Sequence, residues 1–544
     1  MGIPSYFSYI IRNHTGVLCK YMTMIQNQIR FERLYLDCNS ILYDCYREIS
    51  QTLPLKEIEE ILLKTTAKKI ENYIYQIKPY DIVYIAFDGV APIAKMEQQR
   101  NRRYKSWFET SMMNQIEGKN TIDVQKTTSM FTPGTPFMNK LSDYMKEYFR
   151  GKESKLKVKT IIMAMPDEPG EGEHKLYAHM RENPTQQACS IYGLDADLMM
   201  LSICNLDYCP NMFIFRESPV FAKSILKDTN MGEILEDEPL FIDMGNLARS
   251  ISSEMKCSFP DNHRMLDYVF LCFFLGNDFL PHFPSINIRT KGMDVLLEIY
   301  RNTIGNKQEK FLLSKKTRNI QWKQLSNFIF ELSRHEDTLW KQEHSNRNKW
   351  DKKPAMLHPK NTVKERSELF QNTPVLYRKE EKYINPFDYD WENRYYSILF
   401  PDNLDRKYLV KNYMEGIEWV TQYYFHGKVD WVWKYDYHYP PLLKDLRHFA
   451  CKIKDHVLPI RETVPVSPYA QLAYVLPPIY HHLLPDIFKQ RCNDYKLNIP
   501  INENGLPNLE FSWAFCRYFW ECHVNLPPIS TETLHKWNQI CSVY

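Results

Sequence analysis

Short runs of β-branched and aromatic residues alternate with longer amphipathic stretches through residues 31–290. The runs Arg33–Leu36, Ile82–Phe87, Lys159–Met163, Ser190–Tyr192 and Met212–Phe215 are bounded by polar residues and predict strands. Between them, Leu55–Ile77, Glu173–Arg181 and Met265–Leu275 repeat apolar positions at helical spacing. Strand–helix alternation of this kind predicts an α/β fold, a mostly parallel sheet flanked by helices. In such sheets ligands gather beyond the carboxyl ends of the strands.

The pattern changes after residue 305. Residues 306–390 are dominated by Lys, Arg, Asn and Gln, and Ser345–Lys364 is strongly polar, with Pro354 and Pro359. They predict a polar, partly helical linker with flexible portions. Order is expected to return at Trp391, so that 1–305, 306–390 and 391–544 are domain, linker and second region. The second region is mainly helical in pattern and rich in aromatics, most densely in EGIEWVTQYYFHGKVDWVWKYDYHYPP. It is expected to pack against the sheet domain.

Acidic residues close several of the apolar runs. Asp37, Asp88, Glu171, Glu173, Asp195, Asp197 and Asp278 lie in the phrases LYLDCNS, VYIAFDG, PGEGEHK, YGLDADL and FLGNDFLP. Any one of them has an ordinary reading: Asp37 as a helix cap, Asp88 as a turn residue before Gly89. Together they do not. Asp195 and Asp197, two apart, would share one face if the strand after Ser190 continued through them. Glu171 and Glu173 would open a helix, where the dipole helps an anion by only about 0.3–1 kcal/mol. Carboxylates converging on one point repel unless a divalent cation neutralises them. A metal site at the carboxyl edge of the sheet accounts for the set. Glycine is scarce, at 17 in 544 residues, so Gly89, Gly170, Gly172, Gly193 and Gly276, each within two residues of an acidic one, are informative, since the chain does not use glycine as general filler.

In the run APIAKMEQQRNRRYKSW the first cation, Lys95, stands seven residues after Asp88. On a helix Lys95, Gln99 and Arg102 or Arg103 share a face, giving donors for one phosphate, with Arg supplying paired contacts. The alternative for this run taken alone is a solvated basic helix. The net charge of +3 is too small to indicate a polyanion partner by itself. Thirteen scattered cysteines without a Cys-x-x-Cys pair predict reduced thiols and no zinc site. The longest apolar stretch, Tyr268–Leu275, is too short to span a bilayer. Arg12 and His14 interrupt the only apolar segment near the start, and Tyr6 stands where myristoylation needs Ser or Thr. A soluble intracellular protein is expected, cytoplasmic or else nuclear.

The phrases LYLDCNS, FDGVAPIAKMEQQRNRR, PGEGEHK, IYGLDADLMML and FLGNDFLPHFP, in this order, resemble the first conserved region of the XRN family of 5′→3′ exoribonucleases. The aromatic segment and PYAQLAYVLPP resemble its second. The resemblance covers most of residues 1–300 and roughly 390–500. It implies a 5′-nuclease (PIN-like) core and a magnesium-dependent enzyme that degrades 5′-monophosphorylated single-stranded RNA processively to mononucleotides. It implies that the seven carboxylates hold one or two Mg2+ ions, with Mn2+ as a substitute, and that Lys95, Gln99, Arg102 and Arg103 grip the 5′-phosphate. The family commonly stacks the terminal base between a His and a Trp; here Tyr43 stands at the His position, and Trp431 or Trp433 is the implied partner. The long C-terminal domains of the large members are missing, so a compact monomer is expected, with a decapping or decay factor as partner in place of those domains.

Two other readings compete. A structure-specific 5′ flap endonuclease on DNA shares the acidic core, but the segment after Asp278, FLPHFPSINIRTKG, lacks the closely spaced glycines of its DNA clamp. A catalytically inert RNA-binding homologue would not need all seven acidic residues. A phosphatase reading of Asp195-Ala-Asp197 fails because Leu198 and Met199 offer no hydroxyl.

Overall fold

A computed structural model describes residues 6–14, 16–119, 124–193, 195–217, 239–351, 362–459, 461–492 and 494–541. One seven-stranded sheet organises the first half: β1 (Leu18–Lys20), β2 (Phe31–Asp37), β3 (Ile82–Ala86), β4 (Thr160–Ala164), β5 (Ala188–Tyr192), β6 (Met212–Glu217) and β7 (Pro239–Asp243). Their spatial order is β1-β7-β6-β5-β2-β3-β4. The five strands from β6 to β4 are parallel, as the alternating pattern predicted, whereas β7 and β1 add an antiparallel edge. That edge was not visible beforehand, because β1 is only three residues long and no alternation marks it.

Side chains of the central strands divide between two apolar layers by period two. Leu34, Leu36, Val83 and Ile85 face the helices Leu55–Ile77 and Pro136–Phe149. Tyr35, Tyr84, Ala86 and Ile191 face the helix Gly172–Glu182 and, beyond it, the second region. From β2 the chain runs outward to β3 and β4, then returns on the other side of β2 to form β5 and β6. The switch point lies between β2 and β5, where an open parallel sheet leaves its ligand crevice.

The second region packs on the layer of Tyr35. Tyr413, Trp419, Tyr423 and Trp433 belong to the same buried cluster as the strands. PYAQLAYVLPP forms the helix Pro468–Val475, which packs with Ile93 and Met96 at the start of the long helix Ile93–Glu117. Among the described residues no helix is long and apolar enough to cross a membrane, and the described cysteines are free thiols.

The segment 306–390 corrects the expectation of a polar connector. It forms the helices Trp322–Arg334, Glu336–Asp351, Val363–Gln371 and Lys379–Ile384, and Leu325, Phe328, Ile329 and Leu332 sit in the main core. Pro354 and Pro359 lie outside the described residues. The polar composition misled because some of its charges, Glu336, Glu343, Arg347, Arg378 and Glu381, are used inside the molecule. Arg347 grips Glu381 through two bonds of 2.7 and 2.6 Å, Arg378 adds a third of 2.6 Å, and all three side chains are buried. Glu381 also accepts from the Phe515 amide, and Arg347 donates to the carbonyls of Phe515 and Cys516. The triad ties this segment to the end of the second region. Glu381→Gln leaves two buried guanidinium groups without their counter-charge, and a loss on the order of 3–5 kcal/mol is expected. A fall in the thermal or urea midpoint measures it; an unchanged midpoint would show the triad to be energetically idle.

Candidate active site

Six of the seven predicted carboxylates line one cavity of about 950 Å³ at the switch point: Asp37, Asp88, Glu171, Glu173, Asp195 and Asp278. The seventh, Asp197, is buried behind them. Asp37 closes β2, and Asp88 follows β3 by two residues. Glu171 stands at the N-cap position of the helix Gly172–Glu182, without a side-chain capping bond, and Glu173 lies in its first turn, as predicted. Asp195 and Asp197 do not share a strand face. β5 ends at Tyr192, Asp195 lies in the following loop, and Asp197 opens the helix Asp197–Cys204.

The backbone is shaped to let these groups approach. A Cβ on Gly172 would stand 2.8 Å from Asp37 Oδ1, and one on Gly89 would lie 1.7 Å from the Glu168 carbonyl oxygen. The Gly172 amide donates to Asp88 Oδ1 at 2.7 Å, and Asn39 donates to Asp88 Oδ2 at 2.5 Å. Two lysines oppose the crowd. Lys95 Nζ pairs with Glu171 at 2.5 Å and Asp278 at 2.9 Å. Lys175 Nζ, buried beneath the site, donates to the carbonyls of Phe87 and Met165, both at 2.9 Å.

Electrostatics follows this arrangement. Burial, then Asp88, Asp195 and Glu171, push the Asp37 carboxyl well above the ordinary range. Burial and Glu171 raise Glu173 in the same way, and burial and Asp278 push Asp197 up to about 7. Burial would raise Asp278 too, but Lys95 overrides it and holds the group below its usual value. Desolvation lowers Lys175 to about 8. Asp37 Oδ1 and Asp197 Oδ1 are buried without a hydrogen-bond partner. Unpaired acidic oxygens among raised carboxyls suit a hard divalent cation, which takes oxygen ligands. Among the described residues, however, no three acidic, His or Cys side chains are drawn together as a ready-made cage.

The basic helix Ile93–Glu117 borders the same cavity with Lys95, Gln99, Arg102 and Arg103. Lys95 is engaged by the carboxylates, which leaves Gln99, Arg102 and Arg103 as the anion-facing set. Gln99 Oε1 and Arg103 Nε lack partners, and burial lowers Arg103 to about 10. The other cations of the run turn away: Arg100 Nη2 donates to the Pro527 carbonyl at 2.9 Å, and Lys105 Nζ to that of Cys522 at 2.7 Å.

Tyr43 lines the cavity, its ring edge-on to Phe131 with centroids 5.2 Å apart. Trp433 does not serve the site. It is 4% exposed and stacked on Trp419 at 5.4 Å, and Gly416 lies against its ring. Alternation failed here because residues 431 and 432 form a turn and no strand runs through them. Trp431 is half-buried, and its carbonyl accepts from the Ile93 amide at the start of the basic helix. Sequence reasoning overlooked Asn39, Lys175 and Tyr423. Tyr423, from the second region, donates to Glu171 Oε1 at 2.8 Å, and the His174 ring stacks on it at 4.8 Å. Asn39, His174 and Lys175 stand inside the acidic phrases themselves, and that adjacency was the available signal.

The family model described as "XRN 5′-3′ exonuclease N-terminus" matches residues 1–218, and "Xrn1 helical domain" matches 259–383 and 360–540. The 5′-3′ exoribonuclease 1 of Saccharomyces cerevisiae is 26% identical over 93% of this chain and 41% of its own length. The 5′-3′ exoribonuclease 2 of Gallus gallus is 26% identical over 92% of this chain and 66% of its own. The Schizosaccharomyces pombe 5′-3′ exoribonuclease 1 is 25% identical over 93% and 46%. The chain thus spans between two-fifths and two-thirds of these relatives. Among solved structures, the catalytic core of Rad2 in complex with DNA substrate superposes with a TM-score of 0.33 at 14% identity, covering 82% of this chain and 94% of that one.

A carboxyl raised to about 7 is destabilising when ionised, since it binds its proton more readily folded than unfolded. In EDTA, Asp197→Asn is therefore expected to be the more stable chain at pH 8. The advantage should disappear as pH falls through about 7 toward 4, and Mn2+ should stabilise the variant less than the native chain. Thermal melting at several pH values, with EDTA or Mn2+, measures both effects. Equal Mn2+ stabilisation would remove Asp197 from the metal set.

Proposed function

The chain belongs to the XRN 5′-3′ exonuclease family, and on that premise we propose that it is a 5′→3′ exoribonuclease acting on 5′-monophosphorylated single-stranded RNA. One observation carries the reading: the carboxylates and the phosphate-facing donors line the same cavity. Gln99, Arg102 and Arg103 would hold the terminal phosphate. The neighbouring carboxylates then reach the first phosphodiester, and the cut falls one nucleotide in. A grip of donors for one terminal phosphate would discriminate against a triphosphate or a cap.

Asp37, Asp88, Glu171, Glu173, Asp195, Asp197 and Asp278 would hold one or two divalent cations, Mg2+ or Mn2+ in its place. The ions would activate water and neutralise charge on the scissile phosphate. Lys95, fixed by Glu171 and Asp278, sets a positive charge between the phosphate grip and the acidic cluster. Tyr43 supplies an aromatic face for the first base, where stacking is worth about 1–3 kcal/mol. Trp431 is the remaining candidate for the opposing face, anchored through its backbone to the basic helix. Tyr43 carries no positive charge, so translocation along the strand relies on stacking and on the cations. We place the protein in the cytoplasm, degrading mRNA as a monomer.

RNA bearing a 5′-monophosphate is expected to be degraded to nucleoside 5′-monophosphates with Mg2+ and to survive in EDTA. Triphosphorylated and capped RNA should survive in both. Equal degradation of the triphosphate would overturn the phosphate grip, and equal activity on flapped DNA would favour the endonuclease. Asp195→Asn should reduce cleavage to background while RNA binding by filter retention stays within about threefold, since binding rests mainly on phosphate contacts by cations.

A further inference from the structure

The basic helix Ile93–Glu117 separates two cavities. Beyond the reaction cavity lies a second of about 590 Å³, and Asp278 and Arg102 border both. Its far walls come from the second region. Tyr437 and Trp520 contribute rings, and the imidazoles of His438 and His523 stack at 4.7 Å with an angle of 13°. Burial depresses both imidazoles, so they present neutral aromatic surface at neutral pH.

Polar atoms on this boundary are left without partners. Both amide atoms of Gln98, the Nδ2 of Asn277 and the hydroxyl of Tyr439 are buried and unpaired, and all three side chains border the cavity. Buried polar groups are rarely left so in folded proteins, and each exception calls for an explanation, a bound water or ion among them. Arg102 is exposed and faces both cavities, so one cation can accompany an anion from one to the other.

We propose that this second cavity binds the nucleoside 5′-monophosphate product and is the route by which it leaves. The proposal rests on the exonuclease reading given above. A strand consumed from its 5′ end fills the mouth of the reaction cavity with its own remaining chain. The freed nucleotide cannot return that way unless the RNA lets go, so an enzyme that keeps its strand needs a separate exit. The volume lies within the range of about 300–1,000 Å³ typical of small-ligand sites. The flat rings suit a base, the unpaired amides suit its polar edge, and Arg102 suits the phosphate.

The test titrates AMP into the full chain by calorimetry in EDTA, after saturation with 5′-phosphorylated RNA of nuclease-resistant linkage. One AMP is expected to bind per chain beside the RNA, with ribose 5-phosphate weaker. Gln98→Met and Tyr439→Phe, close in shape to the native side chains, should each weaken AMP by about tenfold, the usual scale for losing a buried hydrogen bond. RNA affinity should be unchanged in both. Loss of AMP binding when RNA saturates the chain would overturn the proposal, as would native AMP affinity in both variants. If the RNA itself fails to bind, the exonuclease reading falls instead, and AMP titration of the RNA-free chain and of the two variants still decides whether the cavity is a nucleotide site.

Discussion

Carboxylates crowded at the end of a buried sheet repel one another, and much of this molecule is arranged to hold them there. Asp37, Asp88, Glu171 and Glu173 come from three separate strand or helix ends that meet at the switch between β2 and β5. Lys175 beneath them, Lys95 across them, and the Gly172 amide and Asn39 on Asp88 offset part of the repulsion. The rest remains as raised carboxyl pKa values and unpaired oxygens.

The same constraint explains why a second region must pack on the sheet. Lys95 stands on a helix where two further cations, Arg100 and Lys105, end on carbonyls at Pro527 and Cys522. Without those acceptors the helix would carry buried, unpaired charge on its outer face. Tyr423 reaches Glu171 from a different part of the second region. The buried triad of Arg347, Arg378 and Glu381 fixes the intervening segment to Phe515 and Cys516. The reaction cavity and the second cavity are therefore two sides of one charged helix, each closed by packing.

Particular residues show how far the sequence could be read. The five parallel strands were legible because strands buried on both faces are apolar runs of limited length. Asp37 and Asp243 look alike, each an acid ending an apolar run. Yet Asp243 accepts from the Asn246 amide and caps a helix, while Asp37 joins the cluster. Only the convergence of several such phrases separated one use from the other. Trp431 and Trp433 could not be told apart by alternation, since a turn cancels the rule. The segment 306–390 looked like a linker because charge on a chain is identical whether it ends in water or in a buried ion pair.

The sequence by itself determined the local terms: which runs make strands, which acids end them, where glycine must permit a close approach, and which helix carries donors on one face. These follow from periodicity and side-chain chemistry within a few residues. Tertiary structure alone decided which acid meets which lysine, that Lys95 faces carboxylates while Arg103 faces open cavity, and that Trp433 is core. Such choices depend on contacts between residues hundreds of positions apart, as between Tyr423 and Glu171. The physical reason is that a side chain's charge and burial are properties of its neighbours in space, and chain order does not record them.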